Sequence, residues 1–169
     1  MQPSKASFLE MIQEHQGIIT NLCVLYYPYF EDQRDARQDI ILQLWKSFPS
    51  FRGESKLSTW IYKVSLNTIL SKIKKESKAA LTETLGPQHN SLVISHNSYD
   101  DDLQLLNHLL QSLKPLDKAV IILYLEGYKN KEMAKLLSLT PSNISTRLNR
   151  IRTQLKSNFT IYTHELKRS

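Results

Sequence analysis

Residues 80–99 divide this chain. The segment TETLGPQHNSLVISHNSYD holds a Gly-Pro pair, several Asn and Ser, and no hydrophobic period. That is the chemistry of turns and linkers, not of packed elements. On either side of it, apolar residues recur at helical spacing over long stretches. The expected fold is therefore all-α: two small helical domains, 1–79 and 101–169, joined by a polar linker over 80–100. The length of 169 residues, with 41% hydrophobic content, suffices for two small cores. Four glycines are few for an all-β chain. A short apolar cluster, Leu92-Val93-Ile94, gives the linker something that can dock.

The first half reads as three helices. Phe8, Met11, Ile12, Ile18, Ile19, Leu22, Cys23, Leu25 and Tyr26 form one apolar stripe, which Pro28 closes. Ile40, Ile41, Leu44, Trp45 and Phe48 form a second, ended by Pro49. A third helix is expected to start near Ser55 or Ser58, either of which can cap it, and to bury Leu57, Trp60, Ile61, Val64, Ile69 and Ile73. In the second half, aspartates open a helix carrying Leu103, Leu106, Leu109, Leu110 and Leu113. Pro115 then begins PLDKAVIILYLEG, which Gly127 stops.

Charge alternates along the chain. Residues 46–78 carry eight Lys/Arg against two Asp/Glu, and residues 129–156 carry seven against one. Between them, residues 79–128 carry two against six, and the net charge is +6. Two basic blocks flanking an acidic one suit two contacts on one long polyanion. The single cysteine, Cys23, excludes an internal disulfide and fits a reducing compartment. No apolar run is long enough for a signal peptide or a membrane span, so a cytoplasmic protein without membrane insertion is expected. The five histidines are scattered, none at metal-ligand spacing, and no glycine-rich phosphate loop occurs. No enzyme activity and no cofactor are expected.

The C-terminal basic block has the form of a helix-turn-helix. A short helix, NKEMAKLL, is followed by the three residues SLT and a longer polar helix, PSNISTRLNRIRTQLKS. Thr140 suits the N-cap and Pro141 the first helical position. Ile144, Leu148, Ile151 and Leu155 mark the inner face. The outer face carries Ser142, Asn143, Ser145, Thr146, Arg147, Asn149 and Arg150, side chains of the types that bond base edges and phosphates in a major groove. An ordinary amphipathic helix with a solvated face shows the same periodicity. The basic excess, the Thr-Pro cap and the short preceding helix favour DNA.

The other basic block contains WKSFPSFRGESKLSTW, with four aromatics and three cations in one short stretch. Rings and cations side by side suit an opened nucleic-acid strand, whose unstacked bases rest on aromatics while cations follow the backbone. Phe48, Phe51, Trp60 and Tyr62 supply rings. Arg52, Lys56, Lys63, Lys72, Lys74 and Lys75 supply charge, and Ser55, Ser58 and Asn67 can bond base edges. Trp60 falls on the apolar stripe and, like Trp45, reads as a structural anchor.

Together the halves resemble the extracytoplasmic-function sigma factors, small promoter-recognition subunits of bacterial RNA polymerase. DARQDIILQLWKSFPSFRGESKLSTWIYKVSLN is similar to their region two, and LKPLDKAVIILYLEGYKNKEMAKLLSLTPSNISTRLNRIRTQLKS to their region four. The resemblance implies core RNA polymerase and promoter DNA as partners, and by family analogy an anti-sigma factor. It implies polymerase docking through Asp35, Gln38, Asp39 and Leu42. It implies minus-ten contacts through Phe51, Arg52, Lys56, Tyr62, Lys63 and Asn67, and minus-thirty-five contacts through the outer face of the last helix. Two departures stand out. Ser138 occupies the turn where the family often has glycine, and Val64-Ser65-Leu66 replaces a commoner alanine-arginine pattern before Asn67. The alternative is a helix-turn-helix regulator that binds duplex DNA independently of polymerase.

Overall fold

The computed structural model describes residues 4–82 and 101–166. They form two compact helical units, and no strand occurs among the described residues. The expected linker, with its Leu92-Val93-Ile94 cluster, lies outside the described residues from position 83 onward.

The first unit is a three-helix bundle of α1 (Lys5–Tyr26), α2 (Phe30–Ser47) and α3 (Leu57–Thr82), each packed on the other two. Ser4 caps α1, its hydroxyl accepting the Ser7 N–H at 3.1 Å, which satisfies one of the unpaired amides of the first turn. Phe8, Met11, Ile19, Leu22 and Cys23 of α1 meet Ala36, Ile40 and Leu44 of α2 in the core. Burial pushes the Cys23 thiol up to about 11, so it stays protonated and unreactive near neutral pH. Past α2, Phe48–Ser50 form one 3-10 turn with Pro49 in its first turn. The chain then crosses to α3 through a loop that bends at Gly53, φ +72°. Nothing would meet a Cβ there within 4 Å, so backbone conformation rather than space favours glycine.

The third helix buries Ile61 and Ile69 of its expected stripe but is turned away from the rest of it. It starts at Leu57, with the Trp60 N–H bonded to the Lys56 carbonyl, so neither Ser55 nor Ser58 occupies the cap. Its buried face is Ile61, Tyr62, Ser65, Leu66 and Ile69, while Leu57, Trp60, Val64 and Ile73 are only partly covered. Both sets obey a helical period, and packing between α1 and α2 selects the former.

The second unit comprises α4 (Asp101–Gln111), α5 (Pro115–Leu125), α6 (Asn130–Leu137) and α7 (Pro141–Leu166). The long helix α7 packs on the other three. Ala119, Val120, Leu123, Met133, Ile144, Leu148 and Ile151 form the core. Gly127, φ +85°, ends α5, with the Tyr128 N–H returning to the Leu123 carbonyl. The last helix runs nine residues beyond the expected end at Ser157, to Leu166. The added stretch ends in FTIYTHEL, which contains no glycine or proline to break the helix.

Two features of this unit, the exposed Ser138 and the buried Lys118, carry measurable consequences. Ser138, after α6, adopts φ 55° and ψ 45°, the left-handed conformation that glycine takes at this place in a helix end. The serine thus preserves the turn at a steric cost of roughly 1 kcal/mol. Lys118 is buried on α5, its ammonium donating to Gln111 Oε1 at 2.9 Å. Desolvation lowers its pKa from 10.5 to about 8.

Ser138→Gly is expected to slow amide exchange across α6 and α7 by an amount equivalent to about 1 kcal/mol, and Ser138→Val to accelerate it. The Lys118 proton leaves the native state at lower pH than the unfolded chain. Stability of this unit therefore rises as pH climbs from about 8 to 10.5. In urea titrations Lys118→Met is expected to be more stable than the parent at pH 7.5, with a gap that narrows by about 1–2 kcal/mol by pH 10.

Candidate nucleic-acid interface

In the first unit a chain of rings fixes the loop between α2 and α3. Trp45 lies 4.9 Å from Phe8 and Phe8 lies 5.4 Å from Phe48, both edge to face. Phe48 reaches Trp60 at 6.2 Å, and Trp60 meets Phe51 at 5.2 Å. Such pairs add to area burial through ring quadrupoles. Trp60 is the hub where the loop joins α3, which makes it the anchor its position on the stripe suggested. Trp45 is edge-packed on Phe8 yet 44% exposed. Phe51 is half-buried against Trp60, whereas Arg52 and Lys56 are exposed on the loop.

Lys63 and Asn67 are exposed one turn apart on α3. Asn67 lines a groove of about 600 Å³ between α2 and α3, with Asp39, Gln43, Lys72 and Lys75 around it. Lys72 donates to Asp39 Oδ2 at 2.8 Å across this groove. That hydrogen bond raises the Lys72 pKa against the opposing effect of partial burial. Asp39, expected at a polymerase surface, and Lys72, expected as a DNA cation, are thus partners of each other. Asp35, Gln38 and Leu42 are exposed along α2 at steps of three and four, so they share one face. Leu42, 48% exposed, is an apolar side chain on this polar stripe.

Tyr62 departs from expectation. Its residue is 7% exposed, because positions 62, 65, 66 and 69 share the buried face of α3. It is a core residue in this structure, and it offers no ring to solvent.

In the second unit, the Thr140 hydroxyl accepts the Asn143 N–H at 3.1 Å, capping α7 as its sequence indicates. Ser142, Asn143, Ser145, Thr146 and Asn149 are exposed. Arg147 and Arg150 are placed differently from the free readers expected. Both grip Asp117, which is 2% exposed on α5. Arg150 Nη2 donates to Oδ1 at 3.0 Å and to Oδ2 at 2.9 Å. Arg147 Nη1 donates to Oδ1, and its Nε donates to Asn143 Oδ1 at 2.7 Å. A buried carboxylate without cations would be costly, so the two arginines are committed to the fold as well as to the surface.

Sequence reasoning missed Asp117. The signal was present: a carboxylate one turn before Val120 and Ile121 on an apolar helix falls on the buried face and calls for a cation. No group of side chains suited to a metal ion occurs among the described residues, and no described helix is long and apolar enough to cross a membrane.

The same division appears in comparisons with known proteins. Residues 11–79 match the family described as Sigma-70 region 2, and residues 103–155 match Sigma-70, region 4. The RNA polymerase sigma factor YlaC of Bacillus subtilis is 25% identical over 164 residues, covering 91% of this chain and 92% of YlaC. The ECF RNA polymerase sigma factor SigW of the same organism is 22% identical over 163 residues, covering 89% of this chain and 87% of SigW. The sigma factor RpoE, solved in complex with the anti-sigma factor NepR from Bartonella quintana, shares the fold. Its TM-score is 0.75 at 20% identity, over 91% of this chain and 97% of RpoE. With both sigma-70 regions present in order, each on its own helical unit, the chain belongs to the extracytoplasmic-function sigma factors.

Proposed function

We infer that this chain is a promoter-specificity subunit that binds core RNA polymerase, directs it to particular promoters and assists their melting. The observation that carries this reading is the pairing of a region-two match and a region-four match on one chain. A regulator acting on duplex DNA alone would need the second half only, and this reading is not favoured.

We assign residues 1–79 to polymerase and the minus-ten element, 80–100 to a linker, and 101–169 to the minus-thirty-five element. On α2, Asp35 and Gln38 offer polar groups to cations of the polymerase, while Leu42 supplies an apolar contact. The charge of Asp39 is shared with Lys72. On the loop and α3, Phe51 offers a ring, Arg52, Lys56 and Lys63 neutralise phosphates, and Asn67 bonds a base edge. Opening is assisted without chemistry on the DNA. A surface that binds the unpaired strand better than the duplex shifts the equilibrium towards the open state by its differential affinity. The activity is therefore binding rather than catalysis, exerted in the cytoplasm where polymerase works. An anti-sigma partner is proposed by analogy with RpoE, which was solved with one.

Run-off transcription with core polymerase, the full chain and a randomised promoter library tests this function. Specific transcripts that depend on the chain are expected, and their absence alongside sequence-specific duplex binding by the chain alone would favour the regulator. Leu42→Ala and Gln38→Ala together are expected to weaken core binding at least tenfold, about 1.4 kcal/mol. Helical content by circular dichroism should be unchanged, since both side chains are exposed.

A further inference from the structure

We propose that base reading by the helix-turn-helix passes through Asn149 and Thr146 to adenine–thymine pairs, because Asp117 withholds Arg147 and Arg150 from guanine; this rests on the promoter-binding function above. At about 3.6 residues per turn, Ser142, Thr146 and Asn149 align along the middle of the outward face of α7. Asn143, Arg147 and Arg150 fall on the flank towards α5, where Asp117 waits.

An arginine reads guanine with two parallel N–H groups directed at O6 and N7. Here one nitrogen of Arg150 spans both oxygens of Asp117, and Arg147 divides its donors between Asp117 and Asn143. Turning either guanidinium into a groove would strip a hydrogen bond from a carboxylate that is 2% exposed, and the buried acceptor makes that exchange unfavourable. The outer edge of Arg150, whose side chain is 55% exposed, remains available to a phosphate, which needs charge more than a fixed fork.

Adenine is read by an amide that accepts from N6 and donates to N7 at once. Asn143 has already given its carbonyl oxygen to Arg147. Asn149 is exposed, and no side-chain hydrogen bond engages its amide among the described residues. It therefore keeps both an acceptor and a donor. Thr146 spends its hydroxyl on the Ser142 carbonyl at 3.0 Å, leaving a methyl group suited to the thymine C5-methyl. The stretch of the outward face formed by Ser142, Thr146 and Asn149 is uncharged, and its recognition chemistry is that of A·T pairs.

The test is holoenzyme, formed from core polymerase and the full chain, on promoters randomised in the upstream element, comparing wild type with Asn149→Ala and Arg150→Ala. Asn149→Ala is expected to lose about tenfold discrimination at one A·T pair and to leave other positions intact. With Arg147 still holding Asp117 and the rotation of α7, Arg150→Ala is expected to lower occupancy equally across all sequences and to reduce the salt slope by about one, without altering any base preference. A selective loss of guanine preference in Arg150→Ala, or an unchanged profile in Asn149→Ala, would overturn the proposal while leaving the promoter function standing. Wild-type holoenzyme that shows no upstream preference and makes no specific transcript would overturn both.

Discussion

The second unit hangs on one buried carboxylate. Asp117 sits in a mostly apolar helix, and its burial is tolerable because two arginines from α7 close over it. That contact fixes the rotation of α7 about its own axis, since Arg147 and Arg150 lie about one turn apart and must both face α5. The rotation in turn decides which side chains look outward. The uncharged stretch Ser142, Thr146 and Asn149 on the outer face of α7 follows from turning Arg147 and Arg150 towards Asp117. The cap at Thr140 and the left-handed residue at Ser138 set where the helix begins, and Asp117 sets how it is turned.

The first unit solves a different problem, that of holding aromatics and cations near solvent without letting the loop collapse. Its solution is a relay of rings from Trp45 through Phe8, Phe48 and Trp60 to Phe51. Arg52 and Lys56 are carried at the exposed end of this relay. The ion pair between Asp39 and Lys72 is partly solvated and worth about 0–1 kcal/mol in stability. Its significance is placement: it joins the helix assigned to polymerase to the helix assigned to the strand, on the rim of the groove that holds Asn67.

Much of this was legible in the sequence where local chemistry decides. Pro115, Gly127, Thr140 and Pro141 each mark a helix boundary through a backbone property that tertiary contacts do not change. The aperiodic segment after residue 80 divided the chain, and the sigma-factor resemblance follows from motifs on both sides of it. What was not legible depends on pairing between distant positions. Tyr62 looks like an aromatic among cations in one dimension, and only the packing of α3 against α1 and α2 buries it. Arg147 and Arg150 look like ideal DNA ligands until a carboxylate thirty residues earlier claims them. The serine at 138 stands where the family often has glycine, and only the fold shows that its backbone adopts the conformation a glycine would take.

In the function inferred above, the chain acts with polymerase to open promoter DNA. The most direct measurement places a fluorescent base analogue in the minus-ten region of a selected promoter and follows unstacking on mixing. A signal that rises only when chain, core polymerase and cognate promoter are all present is predicted. Equal opening by core polymerase without the chain, or no opening by the complete mixture, would contradict it.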